Sequence, residues 1–357
     1  MLKQIESMKS LEVEAADALR QVLSAAPAIH HLVVETETAA HDLDLVARFD
    51  VGDRPHVIIA EVKASGQPRQ VRAALLQLRH QLERQPENAT PLFVAPYLSE
   101  EARALCREQD VGFLDLEGNC RIAFDSVFIE RTVPTKPSVA RRDLKSLFKP
   151  KSAQVLRVLL RAPQRAWKVV DLAEAAQVSL GHISNVRAAL VDREWARIEP
   201  DGLRLTAPDA LLDTWRERYE PPPGTRLGYY TTLHGAAFDK AVRAALDGGL
   251  APRALLASFS AAQWIAPFAR ATSQYFYANA EGLDRLRAEL HLSSAAKGAN
   301  VMVTRLDDEG LFRDAVESAP GIFTTSPVQT YLDLAAAGER GREAADHLRR
   351  ERLTWSM

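Results

Sequence analysis

The chain has 357 residues, enough for two or three domains, and its 26% charged and 46% hydrophobic residues exclude a disordered or fibrous protein. Two cysteines are too few for a disulfide framework, no signal peptide is recognisable and no apolar run is long enough to span a membrane, so we expect a cytoplasmic protein without membrane contact. The net charge of −2 excludes a uniformly basic protein, but residues 131–206 contain 15 Lys and Arg against seven Asp and Glu. Such a local basic patch suits phosphate binding.

The first predicted domain, residues 1–132, alternates helices and strands. Apolar residues at helical spacing predict a first helix that ends near residue 23 and a second helix over 71–82. Strand patterns lie between these two helices, and another strand is predicted over 91–95. The order is helix, three strands, helix and strand, which predicts an α/β domain.

Two acidic residues and a lysine lie at the ends of neighbouring predicted strands. Asp44 lies near the start of one strand, and Glu61 and Lys63 end the next. Residues i and i+2 of a strand point to the same face, and a hairpin would bring Asp44 to the same place. Two carboxylates can hold Mg²⁺, and a nearby ammonium can stabilise charge that develops on a phosphate. The alternative is an ordinary solvated strand face.

The spacing of these residues resembles the PD-(D/E)xK nuclease superfamily, in which an Asp is followed at variable distance by Glu-x-Lys. In this sequence His41-Asp42 or Leu43-Asp44 replaces the Pro-Asp pair. The resemblance implies a restriction-endonuclease-like fold, with Asp44 and Glu61 as Mg²⁺ ligands and Lys63 as a catalytic residue. It also implies that Gln77, on the helix after Glu-x-Lys, is a catalytic helper.

A basic linker is predicted over residues 133–150, followed by a compact unit over 151–220. Helix patterns over 152–160, 167–176 and 180–195 precede a hairpin signal around Pro200-Asp201-Gly202, which is the plan of a winged helix-turn-helix. In that plan the third helix enters the major groove and the wing contacts phosphates. The alternative is a protein-interaction module.

The candidate DNA-binding residues of this region fall into three groups. Side chains at the start of the third helix are suited to base edges, since Asn and Arg pair bidentately with adenine and guanine. Arginines of the wing and basic residues that precede the first helix are suited to phosphates. The candidates are Ser179, His182, Ser184, Asn185 and Arg187 on the helix, Arg197 and Arg204 on the wing, and Arg141, Arg142, Lys145, Lys149 and Lys151 before the first helix.

A run of three prolines at 221–223 precedes the last predicted domain, residues 225–357. Strand patterns over 227–233, 273–277, 300–304 and 322–324 alternate with helix patterns, which predicts an α/β domain. It contains no phosphate-binding glycine loop and no metalloprotease motif, so we expect a role in oligomerisation or partner binding.

Two phrases resemble the AbiEi-like antitoxins of type IV toxin–antitoxin systems. The first is Phe113-Leu-Asp-Leu-Glu-Gly-Asn-Cys-Arg-Ile, and the second begins Ser326-Pro-Val-Gln-Thr-Tyr-Leu-Asp-Leu and continues through Gly341-Arg-Glu-Ala-Ala. The resemblance extends over most of the chain. It implies a DNA-binding regulator that represses its own operon and has a nucleotidyltransferase-type toxin as partner.

The main hypothesis is therefore a multidomain α/β and α+β protein that binds double-stranded DNA as a transcriptional regulator or antitoxin. A homodimer is the candidate oligomeric state. The alternative hypothesis is a Mg²⁺-dependent endonuclease of restriction or defence type, to which the winged helix gives sequence specificity. A third hypothesis is an interaction scaffold that binds no nucleic acid.

Overall fold

A computed structural model describes residues 2–38, 43–85, 88–134, 144–247, 252–268 and 272–355. The chain divides into an N-terminal unit, residues 1–143 with 192–194, and a C-terminal unit, residues 144–191 with 195–357. The protein has a mixed α/β multidomain fold, as the sequence predicts. Among the described residues, no helix combines the length and the apolar character needed to cross a membrane.

The N-terminal unit contains a seven-stranded mixed sheet with strand order β1-β2-β3-β4-β5-β6-β7. The pairs β3–β4 and β4–β5 are parallel and the other neighbouring strands are antiparallel. The elements are α1 (Leu2–Ser24), β1 (Ile29–Thr38), β2 (Leu43–Val51), β3 (Arg54–Val62), α2 (Pro68–Leu82), β4 (Ala89–Ala95), α3 (Glu100–Glu108), β5 (Gly112–Asp115), β6 (Cys120–Phe124) and β7 (Val127–Arg131).

Helices cover both faces of this sheet, and the side chains of the interior strand β3 alternate between the two faces. Ile58 and Ala60 pack with residues of α1 in one core, whereas Ile59 packs with residues of α2 and α3 in a second core. Helix α2 begins with Pro68, whose fixed φ suits a first helical turn. Ser99 caps α3 by accepting a hydrogen bond from the amide of Ala102.

The C-terminal unit contains a seven-stranded sheet with order β13-β10-β14-β12-β11-β16-β15 and a two-stranded sheet, β8-β9. A short 3-10 helix, Glu309–Asp314, lies between β14 and β15. The other elements are α4 (Pro150–Arg161), α5 (Val169–Ala176), α6 (Leu180–Asp192), β8 (Ala196–Glu199), β9 (Gly202–Leu205), α7 (Pro208–Glu217), β10 (Gly224–Tyr230), α8 (Gly235–Leu246), β11 (Ala254–Leu256), α9 (Ser258–Ile265), β12 (Gln274–Ala278), α10 (Ala280–Glu289), β13 (Ser293–Ser294), β14 (Val301–Leu306), β15 (Val316–Ala319), β16 (Ile322–Thr324), α11 (Pro327–Ala335) and α12 (Gly338–Arg352).

The three helices α4–α6 and the hairpin β8–β9 follow in the predicted order, and the hairpin is fixed to the loop before α5. Trp167 and Leu203 exchange two backbone hydrogen bonds of 2.8 and 2.9 Å. Gly202 has φ +143, and a Cβ there would lie 2.5 Å from the Trp167 carbonyl. Only glycine fits this close approach, so the hairpin depends on it.

One hydrophobic core joins the predicted winged-helix region to the last predicted domain. It includes Leu156 of α4, Trp215 of α7 and Leu348 of α12. Residues from the end of the predicted linker also enter it: Leu147 is buried, and Phe148 stacks on Trp215 with ring centroids 5.7 Å apart. These elements are therefore held together as one packed body.

Candidate functional site

The acidic residues predicted at the strand ends lie side by side in the N-terminal unit. Strands β2 and β3 pair antiparallel with Leu45 opposite Ala60, which puts Asp44 beside Glu61. A carboxylate oxygen of Asp44 accepts the backbone N–H of Val62 at 2.7 Å. This bond anchors Asp44 at the point where the β2–β3 pairing ends. We call Asp44, Glu61 and Lys63 the strand-end site.

Glu61 is buried in this site, with 1% of its surface exposed, and it faces the same side of the sheet as Ile59. Lys63 donates to one of its carboxylate oxygens, Oε1. The other oxygen, Oε2, is buried and has no hydrogen-bond partner among the described residues. Burial raises the pKa of Glu61, and the negative charge of Asp44 raises it further, against the opposing effect of Lys63.

The donor set of the strand-end site fits a hard divalent cation. An unpartnered buried carboxylate oxygen beside a second carboxylate is suited to Mg²⁺, which prefers oxygen ligands and keeps several waters. Asp44 and Glu61 would hold the ion. Within the described residues, no group of three or more His, Cys, Asp or Glu side chains is placed to bind a metal. Two carboxylates are thus the whole acidic contribution here.

The predicted helper residue requires a correction. Gln77 lies on the exposed side of α2, turned away from the buried face that carries Leu78. Gln81, one turn further along, is 8% exposed and its side chain hydrogen-bonds Glu61. Gln81 therefore occupies the place that was predicted for Gln77.

A tight turn connects α5 to α6 in the C-terminal unit. Gln177, the C-cap of α5, has left-handed backbone with φ 52 and ψ 48, which ends α5 and redirects the chain within three residues. Ser179 accepts a hydrogen bond of 3.3 Å from the amide of His182, so it caps the start of α6. The start of α6 is solvent-facing: Leu180 is 53% exposed.

The predicted base-contacting residues of α6 differ in accessibility. Ser179 and Asn185 are exposed, whereas Ser184 and Arg187 are half-buried. His182 is half-buried and its Nε2 lies 3.1 Å from the hydroxyl of Ser152. Because Ser152 is a buried residue of α4, this contact links His182 on α6 to a second helix of the module.

The predicted phosphate-contacting residues are mostly paired with carboxylates. Arg197 and Arg204 both bind Glu199, at 2.7 Å each. Lys145 pairs with Glu220 at 2.7 Å, and Lys151 pairs with Asp308 at 3.3 Å.

Carboxylates offset the positive charge of the wing. Glu199 and Asp201 together balance the charge of Arg197 and Arg204, so the hairpin presents less positive charge than its arginines alone indicate. Lys149 is exposed at the N-cap of α4 and forms no ion pair among the described residues. Arg141 and Arg142, like His41 and Asp42, lie outside the described residues.

The C-terminal unit also contains a buried polar cluster that sequence analysis missed. Asp333 of α11 accepts hydrogen bonds at Oδ1 from the hydroxyl of Tyr219, from the hydroxyl of Tyr277 at 2.9 Å and from the amide of Gln329 at 3.0 Å. Arg157 of α4 donates to Gln329 at 3.2 Å. We call these five residues the Asp333 cluster.

The titration behaviour of the Asp333 cluster follows from its burial. Desolvation raises the pKa of Asp333 to about 6, although its three hydrogen-bond donors oppose the shift. Burial also raises the pKa of Tyr219 and of Tyr277 well above the usual value, so both hydroxyls remain donors. Burial lowers the pKa of Arg157 to about 10, which leaves the guanidinium charged near neutral pH.

Arg157 extends the cluster toward the 3-10 helix. Its Nε lies 3.3 Å from Asp314, a buried carboxylate that also pairs with Arg161. The signal that could have revealed the cluster is the phrase Ser326-Pro327-Val-Gln329, which predicts a capped helix start followed by two polar residues, Gln329 and Asp333, one turn apart. Both point into the protein instead of toward solvent.

Comparison with known families gives one match. The family described as a transcriptional regulator, AbiEi antitoxin of a type IV toxin–antitoxin system, matches residues 204–354. The matched region contains the second phrase singled out in the sequence, which begins at Ser326, but not the first, which begins at Phe113. The match is thus narrower than the predicted resemblance over most of the chain.

Comparisons with individual proteins add little. No curated protein matches the chain. Among solved structures, EndoMS in its apo form is similar over 29% of this chain and 45% of that chain, with 18% sequence identity and a TM-score of 0.22. The matched part is under half of the EndoMS chain, and a similarity this low carries no argument about the N-terminal unit. What is established is that residues 204–354 are similar to the AbiEi antitoxin family of transcriptional regulators.

Proposed function

We propose that this protein is a DNA-binding transcriptional regulator of the type IV antitoxin kind, which binds duplex DNA with α6 in the major groove and β8–β9 as a wing. The observation that carries the proposal is the solvent-facing start of α6, which directly follows the left-handed turn at Gln177. A helix that is capped, exposed at its N-terminus and held by two other helices can enter a groove without rearrangement.

The polar residues of α6 support a role in base recognition. Asn185 is exposed, and its amide can pair with the adenine edge. Arg187 is half-buried, with a side chain long enough to reach a guanine edge from the flank of the helix. Since Glu199 and Asp201 balance the two wing arginines, we assign the phosphate contacts chiefly to Lys149 and Lys168, exposed residues at the N-caps of α4 and α5.

The family similarity supports the biological part of the proposal. The matching family is described as a transcriptional regulator and antitoxin, so we propose that the protein represses its own operon and neutralises a nucleotidyltransferase-type toxin. Operator sites of helix-turn-helix proteins are commonly palindromic, and a homodimer would match that symmetry. We also propose a cytoplasmic location, as a role in binding DNA would require.

The test measures DNA affinity and DNA selectivity separately by fluorescence anisotropy, with the DNA upstream of the gene and a scrambled duplex. We expect Arg187→Ala to reduce affinity for the upstream DNA by about 1 to 3 kcal/mol and to leave scrambled DNA nearly unaffected. Lys149→Ala should weaken both duplexes alike. If Lys149→Ala removed the preference for upstream DNA and Arg187→Ala did not, the assignment of α6 as the reading helix would be wrong.

We propose a second function only for the strand-end site, namely Mg²⁺-dependent cleavage of DNA. The observation that favours it is the unpartnered carboxylate oxygen of Glu61, in a site that also contains Asp44 and Lys63. A bound Mg²⁺ would neutralise charge that develops on a scissile phosphate. The protein's own contribution would be to orient the carboxylate of Glu61 through Gln81 and to hold the ammonium of Lys63 beside the reacting phosphate.

A plasmid-nicking assay with Mg²⁺ tests this second function. We expect Asp44→Asn and Lys63→Met each to reduce nicking by about 100-fold or more, because they remove a cation ligand and a charge-stabilising donor. Gln77→Ala serves as the matched control and should cut like the wild type, whereas Gln81→Ala should be impaired. If nicking persisted in both Asp44→Asn and Lys63→Met, it would come from another source, and the strand-end site would not be a nuclease active site.

A further inference from the structure

A cavity of about 240 Å³ lies beside the Asp333 cluster, entirely within the C-terminal unit. One wall is a face of the seven-stranded sheet. In the parallel pairing of β12 with β14, Tyr275 lies opposite Met302, and Tyr277 lies opposite Thr304. Arg226 of β10 pairs with Thr304 from the other side, so Arg226, Thr304 and Tyr277 form a row across three strands.

Asp333 lines this cavity and has an unsatisfied oxygen. All three hydrogen bonds of its carboxylate fall on Oδ1, whereas Oδ2 is buried and has no hydrogen-bond partner among the described residues. The residue is only 8% exposed, and a buried carboxylate oxygen without a donor is energetically unfavourable. A ligand with an N–H donor would satisfy it.

Arg226 offers the complementary charge. It lines the same cavity, its side chain is exposed, and it forms no ion pair in the part of the chain that the structure describes. Its positive charge reaches Tyr277, the neighbour of Asp333 in the cluster. A guanidinium is well suited to a carboxylate. The cavity therefore presents an acceptor for an ammonium and a donor for a carboxylate.

The same face of the sheet also supplies an aromatic and apolar surface. Tyr275 and Met302, opposite each other on β12 and β14, line the cavity there, and pockets of this kind bind the apolar body of a ligand while a few polar groups fix its orientation. We propose that this cavity is a binding site for a free α-amino acid with an aromatic or large apolar side chain. Its ammonium donates to Asp333 Oδ2, its carboxylate pairs with Arg226, and its side chain packs along Tyr275 and Met302.

Isothermal titration calorimetry of the full-length protein with L-phenylalanine tests the proposal, and two analogues separate its parts. Phenethylamine lacks the carboxylate and hydrocinnamate lacks the ammonium. We expect saturable binding of L-phenylalanine with a dissociation constant of about 1 mM or lower, binding of phenethylamine weaker by about tenfold and no measurable binding of hydrocinnamate. If L-phenylalanine fails to bind, the proposal is overturned.

Two variants locate the binding. Asp333→Asn removes the charge while it keeps an oxygen for the tyrosine donors, and Arg226→Gln changes only an exposed side chain. Each should weaken L-phenylalanine binding about tenfold, and Arg226→Gln should leave phenethylamine binding unchanged. Equal binding of L-phenylalanine by wild type and Arg226→Gln would overturn the proposal even if Asp333→Asn fails to fold. None of these measurements involves DNA, so their outcome is independent of the proposed regulatory function.

Discussion

The strand-end site and the Asp333 cluster both bury a carboxylate, and they handle its charge in opposite ways. Glu61 has an ammonium and a second carboxylate as neighbours, whereas Asp333 receives neutral donors from two tyrosines and a glutamine. Desolvation raises the pKa of both. The difference shows that burial alone does not define a site: adjacent carboxylates favour a cation, and a carboxylate surrounded by neutral donors favours a single further hydrogen bond.

The largest expected effect comes from Arg157, the one guanidinium of the Asp333 cluster. Arg157→Met should destabilise the C-terminal unit by about 3 kcal/mol, because it leaves the buried Asp314 with only the half-exposed Arg161 as a cationic partner. Chemical denaturation measures the loss. Arg342→Met, at an exposed position of α12, is the control and should change stability by less than about 0.5 kcal/mol. If Arg157→Met left the stability of the protein almost unchanged, the cluster would hold no effective negative charge.

The next effect concerns the pH dependence of stability at Asp333. Its pKa is about 6 in the folded protein against a usual 3.8, so the folded state binds the proton more tightly and stability falls as pH rises from about 4 through 6. The variant Asp333→Asn lacks this pH-dependent contribution to stability. The unfolding free energy of the variant minus that of wild type should therefore rise by about 3 kcal/mol between pH 3.5 and pH 8, when both are measured at each pH.

The matched control for this pH series is Asp284→Asn, a residue with 76% of its side chain exposed in the same unit. Its stability should run parallel to that of wild type across the whole range. A parallel course for Asp333→Asn as well would contradict the assignment of a raised pKa to that carboxyl group.

A smaller effect is expected when Lys63 is removed from the strand-end site. Lys63→Met leaves the buried Glu61 beside Asp44 without a cation and should reduce stability by about 2 kcal/mol at pH 8. Addition of Mg²⁺ should recover part of this loss, because the ion replaces the missing positive charge. Lys9→Met on α1 is the exposed control. A Lys63→Met protein as stable as wild type would remove the contrast between the two sites.

The smallest effect is the pH response of Glu61. Its raised pKa means that stability falls as pH rises above the usual value of 4.5, and Lys63 limits this fall. Glu61→Gln should therefore be slightly more stable than wild type at pH 8 and equal to it below pH 4.5, as measured by thermal unfolding. Glu108→Gln, an exposed change on α3, should show no such trend. A destabilised Glu61→Gln at pH 8 would indicate that the charged carboxylate supports the fold.

Much of the local structure could be predicted from the sequence because the apolar periodicities are strong. Helix α5 ends at Ala176, where the predicted helix ends, and strand β16 occupies Ile322–Thr324, as predicted. The pairing of Glu61 with Lys63 follows from the two-residue repeat of a strand. By contrast, helix α10 was not predicted, although Asn279 provides a capping residue before it.

The errors have a common origin in tertiary contacts. Gln77 and Gln81 lie one turn apart on α2, and the sequence alone does not tell which of them is buried: the packing of α2 leaves Gln77 exposed and brings Gln81 to Glu61. Tyr219 and Asp333 lie 114 positions apart, so no local pattern connects them. The pairing of Glu199 with Arg197 is different, because their two-residue spacing in a strand was a readable signal.

The central claim, that this protein binds DNA through its three-helix module, is tested most directly by the salt dependence of binding to the DNA upstream of its gene. If Lys149 and Lys168 of each protomer of a homodimer contact about four phosphates, the logarithm of the association constant should fall against the logarithm of salt concentration with a slope of about −4. Asn185→Ala should lower affinity and keep that slope. Absent binding at low salt, or binding with a slope near zero, would contradict the account.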